Sequence, residues 1–206
     1  MNDGFFSLIG IWFLLLFVWL GFCDRLLTEN KWRKKWTVII LMVSLGTLSW
    51  TVPLPMNGEL VVMSSLFPML LGSWLWMKQG DNHRLHLLTA SFLVGASVFL
   101  LQLLLRLDPV LMFIEEKYMI AGFVMVLILV AARSSIQQFI LLTLGLGFGD
   151  LCFQAYMWDK TGYYLIGSPF FQDTWWISFY LLWLIQFVLL YVRSPQIWKR
   201  KRAETS

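Results

Sequence analysis

The sequence predicts an all-α protein: a polytopic integral membrane helix bundle of seven transmembrane helices, N-terminus outside and C-terminus cytoplasmic. Three observations carry that expectation. Of 206 residues, 59% are hydrophobic and 14% charged, whereas a soluble domain carries about 45–50% apolar and about 25% charged residues. The apolar residues gather into runs of roughly 15–22, near the ~20 residues of helix that cross ~30 Å of hydrocarbon. Most Lys and Arg residues flank every second gap between runs.

The runs place spans at 5–23, 36–53, 59–77, 87–105, 113–132, 137–158 and 174–192. No Lys or Arg precedes Phe5, so the first run lacks the charged start of a cleavable signal peptide. Its positive charges follow it, which favours insertion with the N-terminus outside. Basic residues mark cytoplasmic segments. These are 24–35 (Arg25, Lys31, Arg33, Lys34, Lys35), 78–86 (Lys78, Arg84), the turn at Arg133, and the basic tail 193–206. Only Arg106, Lys117 and Lys160 fall outside. An even helix number would separate the Lys31–Lys35 and Lys199–Arg202 clusters; seven keeps them on one side. Trp32, Trp36, Trp74, Trp76 and Trp198 fall at the inner boundary, and Trp50, Trp158, Trp175 and Trp176 at the outer one. There an apolar ring with one N–H donor is favoured.

Local chemistry sets the boundaries. Pro53 and Pro55 are expected to end the second helix. Asp108 before Pro109 suits a helix start. The uninterrupted part of the fifth span, Tyr118 to Ala132, covers only roughly 22 Å. It must therefore borrow from Glu115, Glu116 and Lys117. Pro68 is expected to kink the third span. No internal repeat of the kind that marks many transporters is visible.

The composition also excludes functions. The net charge of +4 is spent on membrane-flanking clusters, so no nucleic-acid partner is expected. Cys23 and Cys152 fall near opposite faces and do not read as a disulfide. No Walker loop, HExxH, GxSxG or CaaX signature is present, and no histidine lies at membrane depth to activate a Ser or Thr. Neither a cofactor nor a metal is expected. Asp81, His83 and His86 lie close together, but a zinc site wants a further ligand. Asp81 or Asn82 reads better as a helix cap. The tail Trp198–Arg202 reads as a topology anchor that also suits anionic lipid. Expected partners are the lipid bilayer and other membrane proteins.

Asp150 stands out. It falls within the sixth span, roughly 12 Å from the outer end, where a carboxylate must face protein or water. Thr143, Gly147, Asp150 and Gln154 share one helix face, and Ser91, Gly95, Val98 and Gln102 repeat the spacing in the fourth span. Both helices run outward, so a polar cluster is expected in the outer half of the bundle. Arg106 is its expected ion partner for Asp150, with Glu115 and Glu116 at the mouth. Gly145 and Gly149 make a small-xxx-small face for close helix packing.

Gly147-Phe148-Gly149-Asp150 resembles the GxGD motif of intramembrane aspartyl proteases, over four residues only. That chemistry requires two carboxylates sharing a proton. Asp3, Asp24, Asp81, Asp108, Asp159 and Asp173 all fall in loops or at helix ends, so no second aspartate is expected at matching depth. No enzymatic activity is expected.

The length, the span layout and the stretch Gly167-Ser168-Pro169-Phe170-Phe171-Gln172-Asp173-Thr174-Trp175-Trp176 resemble the YphA-type membrane proteins of Bacillus and relatives. The resemblance implies a Gram-positive plasma membrane and no assigned activity, and it carries over no functional residues. The expectation is a non-enzymatic accessory or assembly protein of the plasma membrane. The alternatives are a small solute or ion transporter or sensor built around Asp150 and, more remotely, an intramembrane protease.

Overall fold

The computed structural model describes residues 3–21, 34–48, 50–55, 57–61 and 67–204. Among them are seven α-helices in the order of the apolar runs. They are α1 (Phe5–Trp19), α2 (Lys34–Gly46), α3 (Phe67–Met77), α4 (Asp81–Leu107), α5 (Glu116–Ala131), α6 (Ser135–Thr161) and α7 (Pro169–Glu204). Cys23, Arg25, Lys31 and Arg33 lie outside the described residues, as do the side chains of Lys34, Asp81, Asn82 and the tail.

The fold is mostly helical but not all-α. Strands β1 (Thr51–Leu54), β2 (Gly58–Val61) and β3 (Tyr164–Ile166) form a sheet in that order. β1 and β2 pair antiparallel, and β2 and β3 pair parallel. Two span boundaries are corrected as a result, because 36–53 and 59–77 both ran into strand. The stretch Thr51–Val61 holds two prolines and Asn-Gly among extended residues, which is hairpin chemistry despite its apolar content. Pro53 is tolerated because β1 is an edge strand and needs no second row of donors. Asn57 turns the chain at φ 59°, a conformation Asn adopts more readily than most residues. Gly58 lies against the Tyr164 ring, which occupies the space of any side chain there.

Pro68 is the second described residue of α3, and residues 62–66 ahead of it lie outside the described residues. Asp108 does initiate a turn: its Oδ1 accepts the Val110 N–H at 3.2 Å. That turn is a three-residue 3₁₀ helix, Pro109–Leu111, and α5 begins only at Glu116.

Among the described residues, two helices are long and apolar enough to cross a membrane, over His83–Leu107 and Ser135–Thr161. They form the spine of the bundle. Leu87, Ser91, Val94, Val98, Gln102 and Leu105 of α4 are buried, at the three- and four-residue spacing of one helix face. The other face exposes Leu85, Leu88, Phe92, Leu93, Leu100 and Leu104. A helix apolar on its exposed side as well as its packed side suits hydrocarbon and not water. Glycines set the closeness of α4 to α6. A Cβ on Gly95 would stand 2.7 Å from the Gly145 carbonyl oxygen, and one on Gly149 would stand 3.1 Å from that of Gly95. α5 packs on α7, α3 on α6, and α1 on both α2 and α7.

Candidate functional site

Asp150 is 7% exposed, and both its oxygens are engaged. Oδ2 accepts the Gly167 N–H at 2.9 Å. Oδ1 accepts Gln154 Nε2 at 3.3 Å. Gln154 is in turn bridged, since its Oε1 accepts the Leu165 N–H at 3.0 Å. One turn of α6 thus presents two acceptors, at i and i+4, to alternate amides of the returning chain. Strand β3 runs back along α6 instead of leaving it, and α7 starts near the level of Asp150. The αL glycines Gly162 and Gly167 (φ 70° and 73°) bracket that return, and only glycine takes such angles freely. Gln172 Nε2 donates to the Gly167 carbonyl at 2.9 Å, tying the same corner to α7. Beyond the end of α6, burial together with the charge and hydrogen bond of Glu59 raises the Tyr163 phenol above its usual pKa. The phenol remains protonated and links the loop to β2.

Arg106 is not the partner of Asp150. Its guanidinium lies over the Phe153 ring, 4.4 Å from the centroid, with Nη1 3.8 Å from Met157 Sδ. The two helices are parallel, and Arg106 sits beside residues one and two turns beyond Asp150. The close contacts of Gly95 with Gly145 and of Gly149 with Val98 fix the register of the two helices, and that register puts Arg106 level with Met157, two turns beyond Asp150. Gln102 is buried with its Oε1 unpartnered, and Glu116 also has a buried, unpartnered Oε1. Arg106 lies within electrostatic reach of Glu116. Thr143 belongs elsewhere: its hydroxyl donates to the Phe139 carbonyl at 2.9 Å and fills the space over Gly72 of α3. Glu115 pairs with Lys117 at 3.3 Å. The expected single cluster is therefore dispersed: Asp150 pairs with Gln154, Arg106 lies within electrostatic reach of Glu116, Glu115 pairs with Lys117, and Gln102 and Thr143 stand apart.

The gathering of Lys117, Asp173 and Asp3 was not anticipated. Lys117 is 3% exposed and Asp173 is 0% exposed. They lie 3.8 Å apart, and Lys117 also meets Asp3 at 3.7 Å. The Phe6 and Tyr118 rings lie 5.3 and 5.9 Å from the ammonium. Asp173 accepts the backbone N–H of Gly4 at 3.0 Å and of Ser7 at 2.8 Å. These are orphan donors of α1, whose own N-cap residue is Gly4 and supplies no side-chain bond. The carboxylate also meets the positive end of that helix. Three helix N-termini, those of α1, α5 and α7, are joined in this knot. The available signal was an aspartate and a lysine each placed just before a long apolar run.

This arrangement holds no pair of carboxylates sharing a proton. Asp150 is satisfied by neutral donors and Asp173 by Lys117 and amides. Among the described residues no group of three His, Cys, Asp or Glu side chains could hold a metal ion. His83 and His86 are exposed. Asp150 lines neither the apolar pocket among α1, α2, α3, α6 and α7 nor the one along α1, α5 and α7.

Comparison with known proteins returned no match among curated proteins and none among solved structures. A family match covers residues 3–206, essentially the whole chain, and agrees with the helical order and the apolar exposed faces. The chain belongs to the YphA-like integral membrane protein family.

Proposed function

We propose that the chain is a seven-span, multi-pass protein of the plasma membrane that acts as a non-enzymatic accessory or assembly protein. The sheet end of the bundle is placed outside and the ends carrying Lys78, Arg84 and Arg133 in the cytoplasm. The observation that carries this reading is the saturation of Asp150. Its oxygens hold the chain that returns from α6 to α7, so the most conspicuous intramembrane charge has a structural task. Basic residues next to the α3–α4 and α5–α6 turns support the orientation.

A second reading, a small solute or ion site, draws on Gln102, one helical turn before Arg106, and on Glu116, within electrostatic reach of Arg106, each with an unpartnered buried oxygen.

Chemical cross-linking of the full chain in its native membrane, followed by affinity purification, tests the first reading. A stoichiometric membrane-protein partner is expected, retained by Gln102→Leu and Glu116→Gln variants. Purification alone, combined with ion or solute flux in proteoliposomes that those variants abolish, would establish the second reading instead.

A further inference from the structure

Strand β3 is held from two sides. It pairs with β2 over Tyr164–Ile166, while the Leu165 N–H donates to Gln154 Oε1 and the Gly167 N–H to Asp150 Oδ2. Two side chains of α6 therefore stand where a further strand would. Each link has a fixed direction. The Leu165 amide needs an oxygen, so Gln154 must turn its Nε2 toward Asp150, and Oδ1 must accept. An ionised carboxylate accepts at both oxygens and donates at neither, so the network is complete only while Asp150 is charged. Yet no charged side chain among the described residues acts on Asp150. Further down the same face of α6, Gly147 and Thr143 meet only Met69 and Gly72 of α3. Arg106 of α4 lies over Phe153, Glu59 of β2 is bonded to Tyr163, and Asp173 of α7 is paired with Lys117. Residues 62–66, ahead of α3, contain no titratable side chain.

We propose that Asp150 is a proton-operated latch, which loosens the returning chain at 165–167 from α6 when it takes up a proton. A hydroxyl on Oδ2 faces the Gly167 N–H, donor against donor. A hydroxyl on Oδ1 faces Gln154 Nε2, and turning that amide over only moves the conflict to the Leu165 N–H. Either position costs one backbone bond. The charged form has the opposite weakness. It is buried and held by neutral donors alone, and a buried charge without a counter-ion is costly. Hydrogen bonds favour the carboxylate and burial favours the acid, so proton concentration decides between two states of the loop. The backbone can follow. Gly162 and Gly167 flank the segment in the left-handed region, and Gly162 has open space around it. The device rests on the anchoring role of Asp150 and not on any partner, so recovery of a partner and titration of the latch are separate outcomes.

The test is hydrogen exchange of the full chain in phospholipid nanodiscs, read at the Leu165 and Gly167 amides as protection relative to the free-peptide rate at each pH. Between about pH 8 and about pH 4.5, where carboxylic acids in proteins titrate, wild type is expected to lose protection at one of the two amides. The loss should be about ten- to a hundredfold, the worth of one hydrogen bond to a charged group. Asp150→Asn carries one donor and one acceptor at every pH, as the protonated acid does. It is expected to show the lowered protection already at about pH 8 and no further fall on acidification. Gln154→Met leaves Oδ1 facing no donor, so a proton there conflicts with nothing. Its Leu165 amide is expected to exchange fast throughout, and its Gly167 amide to stay protected across the range. Constant protection of both amides in wild type, an acid-induced fall of the same size in Asp150→Asn, or an acid-induced fall at Gly167 in Gln154→Met would each overturn the proposal.

Discussion

The carboxylate of Asp173 accepts the backbone N–H of Ser7 at 2.8 Å, across 166 residues of sequence, so the last helix of the bundle caps the first. The same side chain neutralises buried Lys117. One residue therefore satisfies helix ends and a buried cation together, and its loss leaves both exposed to a medium that offers no replacement.

Asp173→Ala is expected to destabilise the protein by about 2–4 kcal/mol. Breaking a buried pair costs about 3–5 kcal/mol, and Lys117 keeps Asp3 and Glu115 as partial compensation. Asp173→Asn retains one acceptor and is expected to lose less. Unfolding in detergent checks this. A double-mutant cycle with Lys117→Met should show coupling of about 0.5–3 kcal/mol, as contacting residues do.

Asp150 holds a loop, so its removal should be felt in that loop. Hydrogen exchange at the Gly167 amide is expected to quicken on Asp150→Ala, and at the Leu165 amide on Gln154→Ala. The two variants separate the two acceptors. Arg106→Leu is expected to leave both amides protected. The reversed pair Asp150→Arg with Arg106→Asp is expected not to rescue folding, since no ion pair joins these positions.

Two glycines in helix interiors should respond in opposite directions. Gly95→Ala forces a Cβ to within 2.7 Å of the Gly145 oxygen and is expected to cost about 1–3 kcal/mol, as overpacking does. At Gly122 of α5 nothing lies within 4 Å of the added Cβ. Alanine there should stabilise by about 0.4–1 kcal/mol. Melting of the two variants in the same detergent checks the contrast.

The number and order of helices were legible because apolar run length is a coarse signal that tertiary structure seldom reverses. The sheet was not legible. Val52, Leu54, Leu60 and Val61 are as apolar as a span, and only Pro53, Pro55 and the Asn57-Gly58 turn mark them as strand. Which residues of α4 and α6 are buried was also legible: Ser91, Val98, Gln102, Thr143, Asp150 and Gln154 are all buried, as helical spacing requires. Their partners were not. Gly167 and Leu165 reach α6 only because β3 folds back, and hydropathy carries no trace of a backbone donor. The Asp173–Lys117 knot was hidden because a charge next to an apolar run reads as a boundary marker. The same position also suits a capping group for a helix far away in sequence.

The orientation can be decided by single cysteines in a background with Cys23 and Cys152 replaced. Cysteine at Asn57 or Thr161 lies at the sheet end, and both positions are exposed. Cysteine at His83 or Ser134 lies in the turns at the opposite end. In intact cells an impermeant maleimide is expected to label the first pair and spare the second, and lysis should expose the second. The basic residues Lys78, Arg84 and Arg133 make that the favoured arrangement, since positive charge resists translocation. The reverse pattern would invert the bundle. Labelling of all four in intact cells would mean that the spans do not alternate, and the seven-span reading would fall with it.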